Sequence, residues 1–158
     1  MILNVKLRDE LGDYSSVVCL KSIITGMEDA LGDKATAIAL IAAGRARGRT
    51  IAKELDLSIE QGLDEVTQKV AAMLGKDGTR LMLLKKIEEI EDGFRVYTQE
   101  TVCSAGEEQG SERRCTFTLG AAQGVLEAIT EQRFRGVHVE SVLRGGEFDV
   151  FEYTLLVR

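Results

Sequence analysis

Residues 115–129 read CTFTLGAAQGVLEAI, and this stretch decides how the rest of the chain is interpreted. Within it an apolar side chain recurs with the 3.6-residue period of a helix, at Leu119, Ala122, Leu126 and Ile129. This period predicts a helix over residues 116–131. Gly120 and Gly124 lie four residues apart, which is about one helical turn.

Three further helices are predicted upstream, over residues 15–31, 34–55 and 58–74. Ser15 or Ser16 can cap the first by accepting hydrogen bonds from its free backbone N–H groups. Asp33 is expected to open the second helix. Ser58 and Gln61 have the spacing of a capping box at the start of the third.

The second helix consists largely of small residues, and Gly44 and Gly48 repeat the four-residue spacing of the central helix. A glycine inside a helix costs about 1 kcal/mol relative to alanine. Two of them at this spacing predict that another backbone, or a ligand, comes close to the second helix.

Strand-like segments surround the central helix in two pairs, at residues 80–90 with 94–102 and 134–143 with 148–157. Glu91-Asp92-Gly93 joins the first pair, and Asp-Gly between such segments is a strong hairpin signal. Arg144-Gly-Gly-Glu147 joins the second pair. A polar loop at residues 104–114 precedes the central helix.

These elements predict an α+β fold in which two hairpins form a four-stranded antiparallel sheet packed with about four helices. The length of 158 residues suits a single domain spanning residues 1–158. Residues 1–12 alternate briefly between apolar and polar, which fits either an edge strand or an N-terminal arm that reaches a partner subunit.

The composition excludes several classes of function. The net charge of −6 opposes nucleic-acid binding, which needs a basic surface. No apolar run approaches the roughly 20 residues that span a bilayer. Three cysteines without a secretory signal indicate reduced thiols, so a cytoplasmic protein is expected.

The central stretch, followed by a hairpin, resembles the signature helix of the 4-vinyl reductase or hydrocarbon-binding domain family. Ala43-Gly44 and Gly48 are similar to the A-G-x-x-x-G pattern of that family's second helix. The resemblance covers roughly residues 15–157. It implies the fold of TRAPP transport-complex subunits and, more distantly, of haem-based nitric oxide sensors, with frequent homodimers and a buried apolar pocket between sheet and helices.

The closing hairpin departs from the family pattern of Glu, then Cys, Gly and Cys. Glu140 fits the glutamate, but Leu143 and Phe151 stand where the cysteines would fall, and Gly146 is one position out of step. Metal or thiol chemistry that depends on those two cysteines is therefore not expected here.

Several polar side chains and thiols are candidates for contact with a ligand. His138 and Glu140 share a predicted strand face, as an acid–base or metal pair or as an ordinary surface pair. One His and one Glu cannot complete a zinc site, so no metal and no catalytic residue is predicted. Cys103 and Cys115 bracket the polar loop, as a redox or metal pair or as two core thiols. Cys19 is either a core residue or, as TRAPP-type relatives imply, an acyl carrier.

The arginines of the second helix, Arg45, Arg47 and Arg49, are a further candidate. Arg45 and Arg49 lie four residues apart, so they can grip a phosphate or carboxylate group together. The alternative is that they form the solvated side of a packed helix.

The apolar stripes of the helices and the first strand are either core or the lining of a ligand pocket. Small residues on the second helix favour the pocket, because they leave space that a ligand can occupy. The candidate lining residues are Leu20, Ile24, Met27, Ile41, Ala42, Leu83, Val125 and Ile129.

Three functions remain open from the sequence. The first is a non-catalytic binding or adaptor module that holds an apolar ligand, lipid-like or tetrapyrrole, or a partner segment, with a role in photosystem or pigment–protein biogenesis implied by the resemblance. The second is an enzyme or carrier of tetrapyrrole metabolism, and the third is an assembly subunit with a filled core. No cofactor motif is recognised. The expected partners are a second copy of the chain and another protein, with membrane contact only through a partner.

Overall fold

The structure, a computed structural model, describes residues 8, 10 and 16–156. The described residues form four helices and four strands in the order α1 (Val17–Leu31), α2 (Asp33–Glu54), α3 (Leu63–Leu74), β1 (Leu83–Ile90), β2 (Gly93–Gln99), α4 (Phe117–Thr130), β3 (Phe134–Glu140) and β4 (Asp149–Leu155). This confirms the α+β class. The arm or edge strand expected over residues 1–12 lies outside the described residues, apart from Arg8 and Glu10.

The four strands form one antiparallel sheet in the order β1-β2-β4-β3. Ile90 pairs with Gly93, so the turn consists of Glu91 and Asp92 alone, and Gly93, which was expected within the turn, begins β2. The hairpin itself is as predicted. The two hairpins join through their second strands, β2 and β4, where Val96 lies opposite Phe151. The sheet of two hairpins is therefore confirmed.

One face of the sheet packs against α4. Phe94, Val96, Phe151 and Tyr153 point to this side and are buried. The hydroxyl of Tyr153 donates a hydrogen bond to the carbonyl oxygen of Leu119 at 2.7 Å, which ties β4 to the first turn of α4. Every residue of α4 from 118 to 127 is buried, because α2 covers the side of α4 that faces away from the sheet.

Glycines allow α2 and α4 to pack backbone against backbone. A Cβ atom on Gly44 or Gly48 would overlap the carbonyl oxygen of Phe117 or Ala121 in α4. A Cβ atom on Gly120 or Gly124 would likewise overlap a carbonyl oxygen of α2. The neighbour expected at Gly44 and Gly48 is therefore the backbone of α4, and the small residues of α2 leave no space for a ligand at that contact.

A buried ion pair reinforces the same contact. Arg45 donates hydrogen bonds to both carboxylate oxygens of Glu127, at 3.0 and 2.8 Å, and the Glu127 side chain is only 5% exposed. Arg49 lies 3.7 Å from the same carboxylate. Burial by itself would raise the pKa of Glu127, but the hydrogen bonds from Arg45 and Gln123 outweigh it and lower that pKa. Arg45 and Arg49 thus grip a carboxylate of their own chain.

Helix starts differ from the sequence predictions in two places. Gly32 is the N-cap of α2, and Asp33 is its first residue. The helix expected over residues 58–74 is broken at Gly62, where φ is +86°, a conformation that glycine adopts at little cost. Gln61 accepts a hydrogen bond from the Ser58 backbone N–H at 3.4 Å, so the capping contact exists but closes a short 3₁₀ turn rather than α3.

Strand β3 directs Phe134 and His138 towards the core. His138 shares the buried face of β3 with Phe134, and a register shift between His138 and Glu140 leaves Glu140 exposed instead of on that face. The expectation that His138 and Glu140 share a face is therefore wrong, and so is the interpretation of His138 as a surface residue. Val137 and Val139 point to solvent.

Candidate functional site: an apolar cavity and the polar network beside it

An open-sided cavity of about 1510 Å³ lies between α1, the connection from α3 to β1, and the loop that follows β2. Its walls are mainly apolar and include Leu20, Met73, Leu74, Leu81, Val102 and Phe117. Ligand pockets usually measure about 300–1,000 Å³, so this space is ample for a small molecule.

Each wall comes from a different part of the chain. Leu20 faces the cavity from α1, and Phe117 is the first residue of α4. Met73 and Leu74 lie in the last turn of α3, and the chain then crosses under the cavity to β1. The exposed mouth carries Lys76, Asp77, Arg80 and Glu100.

The predicted lining residues are largely elsewhere. Leu20 lines the cavity, whereas the other candidates do not. Ile24, Val125 and Ile129 are buried in the core, Met27 and Ile41 are packed beside it, Leu83 is half-buried, and Ala42 is exposed. The prediction missed the segment 73–81, whose glycines at 75 and 78 mark a connection that curves away from the core.

A buried polar network centred on Asp149 lies beside the cavity. The side chain of Asp149 accepts hydrogen bonds from Ser141 at 3.0 Å, Thr101 at 3.0 Å and Ser104 at 2.5 Å. The ring nitrogen Nε2 of His138 lies 3.1 Å from the same carboxylate. The network therefore joins the loop after β2, the end of β3 and the start of β4. Ser104 also lines the cavity, so the network holds part of the cavity wall.

The hydrogen bonds of His138 assign its tautomer. The backbone N–H of Cys115 donates to Nδ1 at 3.2 Å, so this nitrogen carries a lone pair. The proton of the neutral ring therefore resides on Nε2, which donates to Asp149. The imidazole connects the start of α4 to β4 inside the protein.

Hydrogen bonding sets the ionisation of Asp149. Burial by itself would raise its pKa, but the hydrogen bonds from His138, Ser104, Thr101 and Ser141 outweigh burial and lower the pKa to about 2. The carboxylate is therefore charged at every pH at which the protein is expected to work.

We expect the protein to lose stability in acid because of this carboxylate. The pKa of Asp149 is lower in the folded state than the usual value of about 3.9, so its contribution is complete above about pH 4 and is lost as the pH falls towards 2. The loss should be about 2 kcal/mol, measured by urea unfolding at pH 5, 3 and 2. A free energy of unfolding that stays constant over that range would contradict the network.

The buried cysteines lie next to this network. Cys115 Sγ is 3.5 Å from the hydroxyl of Thr101, and Cys103 Sγ is 3.1 Å from the hydroxyl of Thr118. Both thiols are free. Burial raises the pKa of Cys115 well above its usual value, and the neighbouring Cys103 thiol raises it further. The interaction with Cys115 lowers the pKa of Cys103. Cys19 is exposed on α1 and does not line the cavity.

Cys115, His138 and Asp149 each offer a metal-ligating atom, and these atoms lie within 4.8 Å of one another. Their hydrogen bonds fit a metal poorly, because a cation would have to displace the donors that already occupy Asp149 and His138 Nδ1. The same bonds leave no base to activate the Cys115 thiol, since Nδ1 faces a backbone N–H. Cys115, His138 and Asp149 therefore suit a structural role better than that of a metal centre or a nucleophile. Of the three, the sequence prediction missed Asp149.

Within residues 16–156, no helix is both long enough and apolar enough to cross a membrane.

The fold and cavity define a class: an α+β domain whose antiparallel sheet supports a buried central helix, with an apolar cavity at one end. Solved structures share this fold. A crystal structure of the phenol-responsive sensory domain of the transcription activator PoxR, with phenol, aligns with a TM-score of 0.68 and 11% identity over 89% of this chain and 75% of that chain. Subunit 3 of the trafficking protein particle complex from Naegleria fowleri, covalently bound to palmitic acid, aligns with a TM-score of 0.56 and 16% identity over 89% of this chain and 93% of that chain.

These likenesses confirm the TRAPP-subunit-like, sensor-like architecture and concern the fold alone. No protein-family model matches the chain, and no curated protein sequence matches it. The resemblance to the 4-vinyl reductase family therefore stays a prediction.

Proposed function

We propose that this protein is a non-catalytic binding module that holds a small apolar ligand in the cavity between α1, segment 73–81 and the loop after β2. The observation that carries the proposal is the cavity itself: about 1510 Å³ of open space whose walls are mainly apolar. Apolar surface around open space gains free energy when an apolar molecule displaces the water there.

The structural neighbours support the same function. One is a sensory domain seen with phenol, and the other is a trafficking subunit that carries palmitic acid. Phenol and a palmitoyl chain differ in shape, but each presents an apolar body to the protein. Both neighbours of this fold are therefore seen with a molecule that has an apolar part, one in a sensory domain and one in a subunit of a trafficking complex.

The wall around the cavity offers a way to report its occupancy. Val102, Ser104 and Ala105 belong to the loop after β2, and Lys21 holds this loop to α1 through Glu107 at 2.6 Å. A ligand that contacts both α1 and the loop would stabilise their relative position. A protein partner that binds the surface formed by α1 and the loop would then respond to the ligand. The partner protein and the homodimer expected from the resemblance stay predictions.

A neutral fluorescent probe tests the proposal. N-phenyl-1-naphthylamine should bind with increased emission, and replacing Ile23 with arginine should weaken binding about tenfold, because Ile23 is an apolar wall residue. Ile23 is 57% exposed, so the substitution should leave the fold intact. Circular dichroism and thermal melting would confirm that it does.

The matched control is Ile38→Arg, which introduces the same charge at an isoleucine of α2 that is 65% exposed and does not line the cavity. It should bind the probe as the unchanged protein does. If no probe binds, the assembly subunit with a filled core is favoured. An absorbance titration with protoporphyrin IX would test the tetrapyrrole alternative in the same preparations.

A further inference from the structure

Two of the three free cysteines lie on segments that pack against each other beside the cavity. Cys103 belongs to the loop after β2, and Cys115 lies two residues before α4. The hydroxyl of Thr101, in the same loop as Cys103, lies 3.5 Å from Cys115 Sγ. Cys103 Sγ in turn lies 3.1 Å from the hydroxyl of Thr118 in the first turn of α4. Each thiol therefore contacts the segment that carries the other.

Hydrogen bonds fix the part of the loop that carries Cys103. The hydroxyl of Thr101 accepts from the backbone N–H of Ser104 at 3.2 Å, which closes a tight turn around Cys103. The same hydroxyl donates to Asp149 at 3.0 Å, so the turn is tied to β4. The closeness of Cys103 to Cys115 is therefore a property of the folded core.

The two thiols differ in their tendency to ionise. The interaction with Cys115 lowers the pKa of Cys103 in spite of burial. The hydroxyl of Thr118 and the backbone of Thr116, both at the start of α4, lower it further. Burial instead raises the pKa of Cys115 well above its usual value. Because the thiolate is the form that reacts with oxidants, Cys103 is the thiol expected to react first.

We propose that Cys103 and Cys115 are a redox site, at which a small peroxide closes a disulfide between the loop after β2 and the start of α4. The Cys103 thiolate attacks one oxygen of hydrogen peroxide, which leaves hydroxide and a sulfenic acid on Cys103. The Cys115 sulfur then displaces the hydroxyl group from Cys103, and the proton of Cys115 leaves with that group as water. Two thiols and one peroxide thus give one disulfide and two waters, and two electrons pass from sulfur to oxygen.

Burial determines which oxidants can act. Cys103 and Cys115 are 5% and 2% exposed, whereas Cys19 is exposed to solvent. A bulky disulfide reagent is therefore expected to react at Cys19, while hydrogen peroxide is small enough to enter when the loop fluctuates. Val102 and Ser104, on either side of Cys103, line the cavity, so the turn that carries Cys103 borders open space.

The disulfide would close a ring over residues 103–115, which contains Glu107 and Arg113. Glu107 pairs with Lys21 at 2.6 Å, and Arg113 pairs with Glu28 at 2.7 Å. Both partners belong to α1. Oxidation would therefore cross-link the loop that holds α1 and forms part of the cavity wall.

Peptide mapping after treatment with hydrogen peroxide tests the inference, in a Cys19→Ser background that removes the exposed thiol. Trypsin cuts after Arg113 and Arg114, so the two cysteines fall in different peptides, residues 96–113 and 115–133. With free thiols blocked by N-ethylmaleimide under denaturing conditions, the two peptides should be joined after oxidation. Dithiothreitol should separate them again.

Single-cysteine variants in the same background test the order of the steps. Cys115→Ser should stop at the sulfenic acid on Cys103, which dimedone labels. Cys103→Ser should oxidise at least about tenfold more slowly, because the raised pKa of Cys115 leaves little thiolate. Circular dichroism would confirm that both variants keep the fold.

Urea unfolding gives a second measurement that needs no substitution at either buried cysteine. The oxidised Cys19→Ser protein should unfold at a urea concentration higher by about 1 M, and dithiothreitol should abolish the difference. Peptides 96–113 and 115–133 that stay separate, with their thiols reduced or carrying added oxygen, would overturn the inference and leave two core thiols. Neither measurement involves a ligand, so the proposed function stands or fails independently.

Discussion

Replacing Gly48 with alanine should lower the free energy of unfolding by about 3 kcal/mol. The new Cβ would overlap the carbonyl oxygen of Ala121 and lie 2.8 Å from the backbone nitrogen of Val125. These are backbone atoms of a helix that is itself buried between α2 and the sheet, so they cannot move aside without disturbing both layers. Overpacking of a rigid core typically costs about 1–3 kcal/mol and sometimes more, which exceeds the gain of about 1 kcal/mol from removing a helical glycine.

Gly26→Ala is the matched control for that change. Gly26 also lies inside a helix, α1, but a Cβ there would meet nothing within 4 Å. Its replacement should raise the free energy of unfolding by up to about 1 kcal/mol. Urea unfolding followed by circular dichroism would measure both variants. If Gly48→Ala were stabilised as Gly26→Ala is, α2 and α4 would not pack through their backbones.

Replacing Asp149 with asparagine should cost about 3 kcal/mol or more at pH 7. The amide has a single acceptor oxygen, and its NH₂ group would face the hydroxyls of Thr101 and Ser104, which now donate to the carboxylate. These groups are buried or half-buried, so water does not readily replace the lost acceptor. Removing one partner of a buried charged network typically costs about 3–5 kcal/mol.

The pH dependence of the same variant separates this cause from general damage to the core. Asp149→Asn should lose the part of the acid sensitivity that Asp149 supplies, because no group with a pKa of about 2 remains at that position. Asp92→Asn, at an exposed turn between β1 and β2, should match the unchanged protein at each pH. A variant that kept the full stability at pH 7 would refute the role of Asp149.

The Asp149 network also bears on function. Thr101 and Ser104 flank Val102, which belongs to the cavity wall. Asp149→Asn should therefore weaken binding of N-phenyl-1-naphthylamine as well as stability, whereas Asp92→Asn should not. The polar network would then act as the support that keeps the loop after β2 in place around a ligand.

Local patterns predicted most of the fold. The apolar period of α1, α2 and α4 and the Asp-Gly turn between β1 and β2 depend on residues close together in the chain, so the sequence carries them directly. The errors arose where a single backbone feature overrides the period. Gly62 breaks the predicted third helix, and the register shift after His138 moves Glu140 off the face that it was expected to share with His138.

The candidate site was predicted only in part. Cys103, Cys115 and His138 were recognised as residues of interest, but nothing near them in the sequence indicates Asp149 or its closeness to Cys115 and His138. Arg45, Arg47 and Arg49 were predicted together as one candidate, because their spacing in the sequence does not show that Arg47 has a different environment from the other two. In the structure Arg45 and Arg49 pair with Glu127, whereas Arg47 lines the cavity.

By itself, the sequence determined the class of this protein: the helices, the two hairpins and the glycine pairs that require a close neighbour. Only the tertiary structure decided that the neighbour of each glycine pair is another helix, and that the open space lies instead near segment 73–81. The physical reason is that periodicity and turn preference are properties of neighbouring residues. A cavity and the hydrogen-bond network around Asp149 depend instead on which distant segments come together when the chain folds.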